Sequence, residues 1–258
     1  MKGAAAQMLE GKIAIVTGAG QGIGRGTAIA LAKAGVAIVV SGRTLSKVEK
    51  VAAEIEALGG RAAAVHADVN DASSLAALVD FTLSTFDGID ILVNNAQQVP
   101  LGPLLRVTDE TFIDGFTSGP LAAFRLMKLC HPHLVARGGG SIINFATAAA
   151  ERWDMSNYGA YGAVKNAIRV LSRAAACEWG KDNIRVNTIA PHALSPGMEG
   201  WIKAVPDEAA AFIATIPLGR LGDCEHDIGD FIVQLCGPAM SYLTGSTIPL
   251  DGGQANFG

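Results

Sequence analysis

The chain has 258 residues, half of them hydrophobic and only 17% charged, with a net charge of -4. That length suits one large domain or two small ones and is ample for a sizeable core. The charge balance, with no long basic run, leaves no footprint for nucleic acid or an anionic membrane, and no apolar run reaches the roughly 18 residues of a transmembrane helix.

The first eight residues, Met1 to Met8, lack the apolar stretch of a signal peptide and read as a short frayed extension. Four cysteines (Cys130, Cys177, Cys224, Cys236) show no paired-ligand spacing. Cys130 and Cys177 fall in helical stretches and read as small buried hydrophobes. His131-Pro132-His133 reads as a solvated helix end and not as a metal clip. A soluble, reduced, cytoplasmic protein without a metal is expected.

In chain order, Lys12 to Thr17 is a short apolar run suited to a strand buried on both faces. It meets Gly18-Ala19-Gly20-Gln21-Gly22-Ile23-Gly24, then a helical stretch through Lys33 closed by Gly35, then a second apolar run from Val36 to Ser41. Strand, glycine-rich turn, helix and strand in about 30 residues make a βαβ unit. The pattern repeats: a helix marked by Val48, Val51, Ile55 and Leu58, a strand at Ala62 to His66, and an amphipathic helix from about Leu75 to Phe86 with Asp71 or Ser73 near its start. A strand at Ile89 to Asn94, a long helical region from Asp109 to about Leu134 and a strand at Ser141 to Ala146 follow. Next come a helix beyond Tyr158, a strand at Ile184 to Ala190, an irregular segment at 191–222, a helix around 225–236 and a last strand near Ser246 to Pro249. This alternation predicts an α/β fold: one doubly wound, Rossmann-type domain over 1–258, with a mostly parallel seven-stranded sheet and helices on both faces.

A glycine-rich turn alone is also an ordinary tight turn, but here it sits between a buried strand and a helix. The glycines let backbone approach a pyrophosphate, while the helix N-terminus offers N–H donors. No Gly-Lys-Ser/Thr follows, which excludes a Walker-type loop. At the end of the second strand, where an acid would bind the ribose hydroxyls of NAD, the chain reads Ser41-Gly42-Arg43-Thr44. Arg43, with Arg25 as a second cation, favours NADP(H) over NAD(H). Arg43 as a plain solvated loop residue is the competing reading.

Asn144 to Asn166 carries two tyrosines ahead of one lysine, and Val164, Ile168, Leu171 and Ala175 set a helical period beyond them. Tyr161 and Lys165 are i and i+4, so they share one helix face. An ammonium beside a phenol favours phenolate; lowering a tyrosine pKa from about 10 to about 7 takes roughly 4 kcal/mol. Packing with a solvated tip is the alternative.

With the glycine turn, Tyr-x-x-x-Lys and the βα order together, the chain resembles the short-chain dehydrogenase/reductase family from Leu9 to about Asn256. Thr17-Gly18-Ala19-Gly20-Gln21-Gly22-Ile23-Gly24 looks like its Thr-Gly-x-x-x-Gly-x-Gly turn, Asp68-Val69 like its adenine-side pair, and Asn94-Asn95-Ala96 like its Asn-Asn-Ala-Gly, with Gln97 in place of the last glycine. Ala190-Pro191 resembles the Pro-Gly turn near the nicotinamide, with His192 at the glycine position. Tyr242-Leu243-Thr244-Gly245 and Asp251-Gly252-Gly253 resemble the C-terminal pattern. The resemblance implies a cofactor site at Gly18, Gln21, Gly22, Ile23, Gly24, Arg43, Asp68, Val69, Asn95, Ala96, Tyr161, Lys165 and Pro191. It implies that Tyr161 exchanges a proton with the substrate oxygen as hydride moves at the nicotinamide. Lys165 would depress the tyrosine pKa and bind the nicotinamide ribose.

Two positions depart from the family. The serine that polarises the carbonyl is matched by Thr147, whose methyl adds bulk and restricts its rotamer; an alignment shifted by one residue puts Ala148 there instead. The helix-borne asparagine of a water and proton relay is matched by Gly119, counting back from Pro132 or Phe124. Pro120 next to it is expected to kink the helix.

The leading expectation is an NADP(H)-dependent oxidoreductase interconverting a secondary alcohol and a ketone. One alternative is an enoyl reductase, since Tyr158-x6-Lys165 matches the spacing of such relatives. The other is a catalytically weakened dinucleotide-binding homologue, suggested by Gly119, Gln97 and Thr147. Segment 191–222 occupies the family's substrate loop and carries Met198, Trp201, Ile202, Val205, Phe212 and Ile216, which line an apolar pocket or pack a short helix. Trp153, Tyr158, His192 and Trp201 are the candidate substrate contacts, and an apolar small molecule the expected partner. The resemblance also implies a homotetramer or dimer built on the two long central helices and the C-terminal region.

Overall fold

The computed structural model describes residues 8–152 and 156–255. Seven strands, β1 (Ile13–Thr17), β2 (Ala37–Gly42), β3 (Ala62–His66), β4 (Ile91–Asn94), β5 (Gly140–Phe145), β6 (Ile184–Pro191) and β7 (Thr247–Leu250), form one sheet in the order β3-β2-β1-β4-β5-β6-β7. Every pairing is parallel, where a mostly parallel sheet was expected. The expected strands are all present, with ends shifted by a residue or two.

Helices cover both faces. α1 (Gly22–Lys33), α2 (Leu45–Ala57) and α9 (Asp230–Cys236) pack on one; α3 (Ala72–Phe86), α5 (Ala122–Ala136) and α6 (Gly159–Trp179) pack on the other. Alternate strand residues supply the two cores, because successive side chains point to opposite faces. Ala14 and Val16 enter the first core and Ile15 the second; Ile38 and Val40 enter the first and Val39 the second. Burial on both sides is why these strands read as continuous apolar runs.

The long helical region expected at 109–134 is α4 (Asp109–Phe116), a π-helical turn (Thr117–Leu121) and α5. Pro120 has no N–H to give to the preceding turn, and the wider turn absorbs the loss. The flanking residues Phe116, Leu121 and Ala122 keep right-handed helical angles, so the helix carries through. The Ser118 hydroxyl donates to the Asp114 carbonyl at 2.7 Å and accepts the Gln98 N–H at 3.0 Å, tying this turn to the chain after β4.

At the amino end of the sheet, Asp90 is 2% exposed and accepts the Ile13 N–H at 3.0 Å. Lys12 Nζ at 2.9 Å and Arg137 Nη2 at 3.1 Å complete its shell. Two other expectations change. Cys130 is buried, its thiol pushed up to about 12 by burial, whereas Cys177 is exposed because it faces away from the α6 core stripe. His131 is not a solvated end: it lies within α5, its ring 4.8 Å from that of Trp179 and its Nε2 3.4 Å from Asp182. Among the described residues no group of side chains is arranged to hold a metal, and no helix is long and apolar enough to cross a membrane.

Candidate active site

The strand order reverses between β1 and β4, and ligands of open α/β sheets bind at the carboxyl ends of such strands. A cleft of about 500 Å³ opens there. Its floor is the glycine turn. Gly18 has φ +64°, and a Cβ on it would stand 2.8 Å from Asn95 Nδ2; one on Gly24 would meet the Gly18 carbonyl oxygen at 2.5 Å. The crowding comes from a lock across the switch point. Asn95 Nδ2 donates to the Thr17 carbonyl at 2.9 Å, and Thr17 Oγ1 accepts the N–H groups of Asn95 and Ala96 at 3.0 and 3.1 Å.

Of the cofactor residues read from sequence, Gly18, Gln21, Gly22 and Ile23 line the cleft from the turn, Arg43 from the end of β2, Asp68 and Val69 after β3, and Asn95 and Ala96 after β4. Gly24 lies beneath the turn and serves its packing. Asp68 also orders its own loop, accepting the Asn70 N–H at 3.0 Å. Arg25 does not act as expected: its guanidinium is paired with Glu54 of α2 and does not enter the cleft. The second cation is Lys47, in the first turn of α2, whose Nζ donates to Gln21 Oε1 at 2.8 Å. Its place two residues into a helix following Arg43 was the available signal.

The start of α7 (Pro196–Ala204) also borders the cleft, which sequence reasoning missed. Ser195 caps it by accepting the Met198 N–H, and Pro196 approaches Gly22. Ser-Pro ahead of an apolar stretch is a helix-start pattern that marks this element.

Tyr161, Lys165, Thr147 and Pro191 stand outside the walls of this cleft, on α6 and at the carboxyl ends of β5 and β6. Lys165 is 5% exposed, and its Nζ donates to the Phe145 carbonyl at 2.7 Å. Burial pulls its pKa down to about 7. Its Nζ lies 5.7 Å from the Tyr161 ring centroid. Tyr161 is not held as a low-pKa phenol: burial pushes it up to about 12, opposed by a hydrogen bond from Thr147 and reinforced by Tyr158. Desolvation dominates both groups here, disfavouring either charge, and the ammonium is committed to a carbonyl. Thr147 is buried and follows β5 in extended conformation; its Oγ1 also accepts the Ala149 N–H at 3.2 Å. Ala148 is fully buried in the next turn.

Tyr158 is 37% exposed at the N-terminus of α6, where its carbonyl accepts the Gly162 N–H at 2.7 Å. His192 and Trp201 come together through Phe212 of α8 (Pro206–Ile213), which meets the two rings edge-on at 5.2 and 5.5 Å. Arg152 lies over the same Phe212 ring at 5.1 Å. Burial holds the His192 pKa below its ordinary value, and its Nδ1 is buried without a partner. Trp153 lies outside the described residues.

The space opposite Gly119 is filled from across the site. A Cβ on Gly119 would stand 3.0 Å from Gln97 Nε2 and 3.0 Å from Val164 Cγ1. The two departures noticed separately in the sequence, an extra amide at Gln97 and a missing one at Gly119, face each other.

A glycine-floored cleft at the switch point, next to a desolvated phenol and ammonium, is the architecture of an oxidoreductase that works with a nicotinamide dinucleotide. The family profile described as Enoyl-(Acyl carrier protein) reductase matches residues 18–255. A 12alpha-hydroxysteroid dehydrogenase of Clostridium sp. is 40% identical over 95% of this chain and 97% of its own. Two solved structures superpose along the chain. A 7α-hydroxysteroid dehydrogenase complexed with NADH and 7-oxo glycochenodeoxycholic acid has a TM-score of 0.90 and 36% identity, covering 98% of each chain. A putative NAD(P)-dependent gluconate 5-dehydrogenase from Beutenbergia cavernae with bound NADP has a TM-score of 0.89 and 34% identity, covering 97% of this chain and 99% of its own. The chain belongs to the short-chain dehydrogenase/reductase family and is an oxidoreductase of hydroxyl and carbonyl groups.

Proposed function

We propose that this protein interconverts a secondary alcohol and a ketone on an apolar small molecule, using NADP(H), with Tyr161, Lys165 and Thr147 as its catalytic residues. The observation that carries the reading is the meeting of Tyr161 with the Thr147 hydroxyl and Lys165 at the carboxyl ends of the strands, beside the dinucleotide cleft. In the reducing direction the Tyr161 hydroxyl gives its proton to the carbonyl oxygen, and in oxidation the phenolate takes it back. The Thr147 hydroxyl donates a hydrogen bond to the same oxygen as negative charge grows on it. Lys165, fixed by the Phe145 carbonyl, retains donors for the nicotinamide ribose. The nicotinamide supplies or accepts the hydride when bound.

The residues present fit a dinucleotide: the glycine turn admits a pyrophosphate where side chains would clash, and the α1 N-terminus adds its dipole. Asp68, Val69, Asn95, Ala96 and Pro191 border the adenine and nicotinamide ends. Exposed Arg43, with Lys47 four residues on and no acid at Gly42, supports a 2′-phosphate and so NADP(H). The His192–Phe212–Trp201 cluster supports an apolar, fairly bulky substrate covered by 191–222. Exposed Phe112 and Ile113 on α4, Leu121 on the π-helical turn, Phe124 on α5 and Val170 on α6 support a homodimer or homotetramer, which light scattering on the eluting peak reads directly.

The test is a panel of ketones and secondary alcohols followed at the NADPH absorbance, with NADH in parallel. Reduction by NADPH, lost in Tyr161→Phe, is expected; unchanged turnover in that variant rejects the mechanism. The description of the matching family profile keeps one comparison in the panel, an enoyl thioester. Reduction lost in Tyr158→Phe and not in Tyr161→Phe would transfer the role to Tyr158.

A further inference from the structure

Gln97 poses a chemical problem. Both its Nε2 and Oε1 are shut off from solvent and neither has a hydrogen-bond partner. Folded proteins rarely leave a buried amide in that state, and an internal water is the usual remedy. The same is true of Asn94 Oδ1, three residues back at the end of β4.

A cavity of about 10 Å³, enough for the centre of one water, lies between these groups and is lined by Gln97, Asn94, Thr17, Gly119 and Ile168. Thr17 Oγ1 is already engaged with Val93, Asn95 and Ala96, so the open polar groups are those of Gln97 and Asn94. Gln97 Nε2 faces Gly119, the side on which the cavity lies. A water placed there would accept from Nε2 and donate to Asn94 Oδ1.

Asn94 heads a buried chain. Its Nδ2 donates to Asn144 Oδ1 at 2.8 Å, Asn144 Nδ2 to the Ser172 hydroxyl at 2.8 Å, and that hydroxyl to the Ile168 carbonyl of α6 at 2.7 Å. Ile168 is one helical turn beyond Lys165. Gln97 itself lines the dinucleotide cleft as well as the cavity.

We propose that Gln97 is a positioning residue: its carboxamide, seated against Gly119, binds a buried water together with Asn94 and so links the wall of the dinucleotide cleft to the Asn94–Asn144–Ser172 chain that holds α6. The amide enters from the strand side, and the bare Cα of Gly119 is what makes room for it. Gly119→Asn alone brings a second amide onto the first and is expected to disrupt the site. Paired with Gln97→Gly it puts the amide back from the other wall.

The kinetic part of the test rests on the proposed alcohol–ketone reading; the structural part does not. A high-resolution crystal structure of the wild type is expected to show a water between Gln97 and Asn94, absent in Gln97→Met, which keeps the volume and removes both polar atoms. Gln97→Met is expected to lower kcat roughly ten- to hundredfold, a larger change than that in the KM for NADPH, whose cleft Gln97 also lines. The pair Gln97→Gly with Gly119→Asn is expected to recover most of that loss, above either single change. Dry density beside Gln97, its amide bonded instead to a bound cofactor, or a Gln97→Met enzyme with wild-type kcat would each overturn the proposal. A bridging water in an enzyme that turns over no alcohol or ketone would sink the substrate reading and leave the water site standing.

Discussion

The two ends of the sheet use their polar groups in opposite ways. At the amino end, buried Asp90 is fully engaged by Ile13, Lys12 and Arg137, and joins β1, β4 and the end of α5. At the carboxyl end, Gln97, His192 and Asn94 keep buried atoms without protein partners, and Tyr161 and Lys165 sit where both charges are disfavoured. The Asp90 cluster closes its hydrogen bonds within the protein, and the groups around Gln97 and His192 hold theirs open. Changes at the first should register in stability and changes at the second in chemistry.

The sharpest break of that contrast comes from Tyr161→Phe. A loss of 10²- to 10⁴-fold in kcat is expected for a general acid–base group, with the melting temperature little changed, as read by steady-state rates and thermal scanning. A large drop in melting temperature would make Tyr161 a packing residue. Next in size is a pH effect on the apo protein. The Lys165 pKa is near 7 when folded and ordinary when unfolded, so between those values only the unfolded chain holds the proton and stability rises with pH. From pH 7 to 9 this contributes about 2 kcal/mol. Denaturant melts of wild type and Lys165→Met, subtracted at each pH, should show it. The subtraction removes the opposing effect of Cys130 and Cys236, both pushed up to about 12 by burial. A flat difference would mean that Lys165 is solvated.

At the amino end, Asp90→Ala leaves the buried Ile13 N–H without an acceptor at a cost of about 2 kcal/mol. Lys12 and Arg137 reach water, so their release adds little. Chemical denaturation should show the loss while kcat holds; a comparable fall in kcat would erase the distinction between the ends. The smallest effect is set for Arg43→Ala, with roughly tenfold weaker NADPH binding by calorimetry and unchanged NADH binding. Equal weakening of both would remove the phosphate role.

The fold was legible because its strands are buried on both faces and its turns are marked by glycine. Ala14 and Val16 go to one core and Ile15 to the other, leaving an unbroken apolar run to read. The Tyr161–Lys165 pair was legible because i and i+4 share a face whatever surrounds them. What surrounds them was not. The lysine was expected to sharpen the phenol, yet both groups are desolvated, a property of neighbours distant in sequence. Arg25 pointed to phosphate by proximity alone, and Glu54 on another helix claims it. Gln97 and Gly119 each read as a defect, because the 21 positions between them conceal that they face each other. The π-helical turn was foreshadowed only as a kink at Pro120.

Ala193 and Gly222 form a β-bridge, flanked by Leu194 N–H to Gly222 O at 2.8 Å and Gly222 N–H to His192 O at 2.9 Å. The segment between them therefore leaves and re-enters the domain at one point. Just past that neck the backbone of Cys224 lies so close to Gly26 that a Cβ there would collide with it, which clamps the neck to α1. Closing a loop whose ends are already held together costs little more as it lengthens, since each doubling adds only about 0.6 kcal/mol. The neck thus behaves as a socket: with both ends held, a change in length or shape beyond the cleft-lining Ser195, Pro196 and Gly197 is expected to alter the cover of the site at little cost to the dinucleotide cleft.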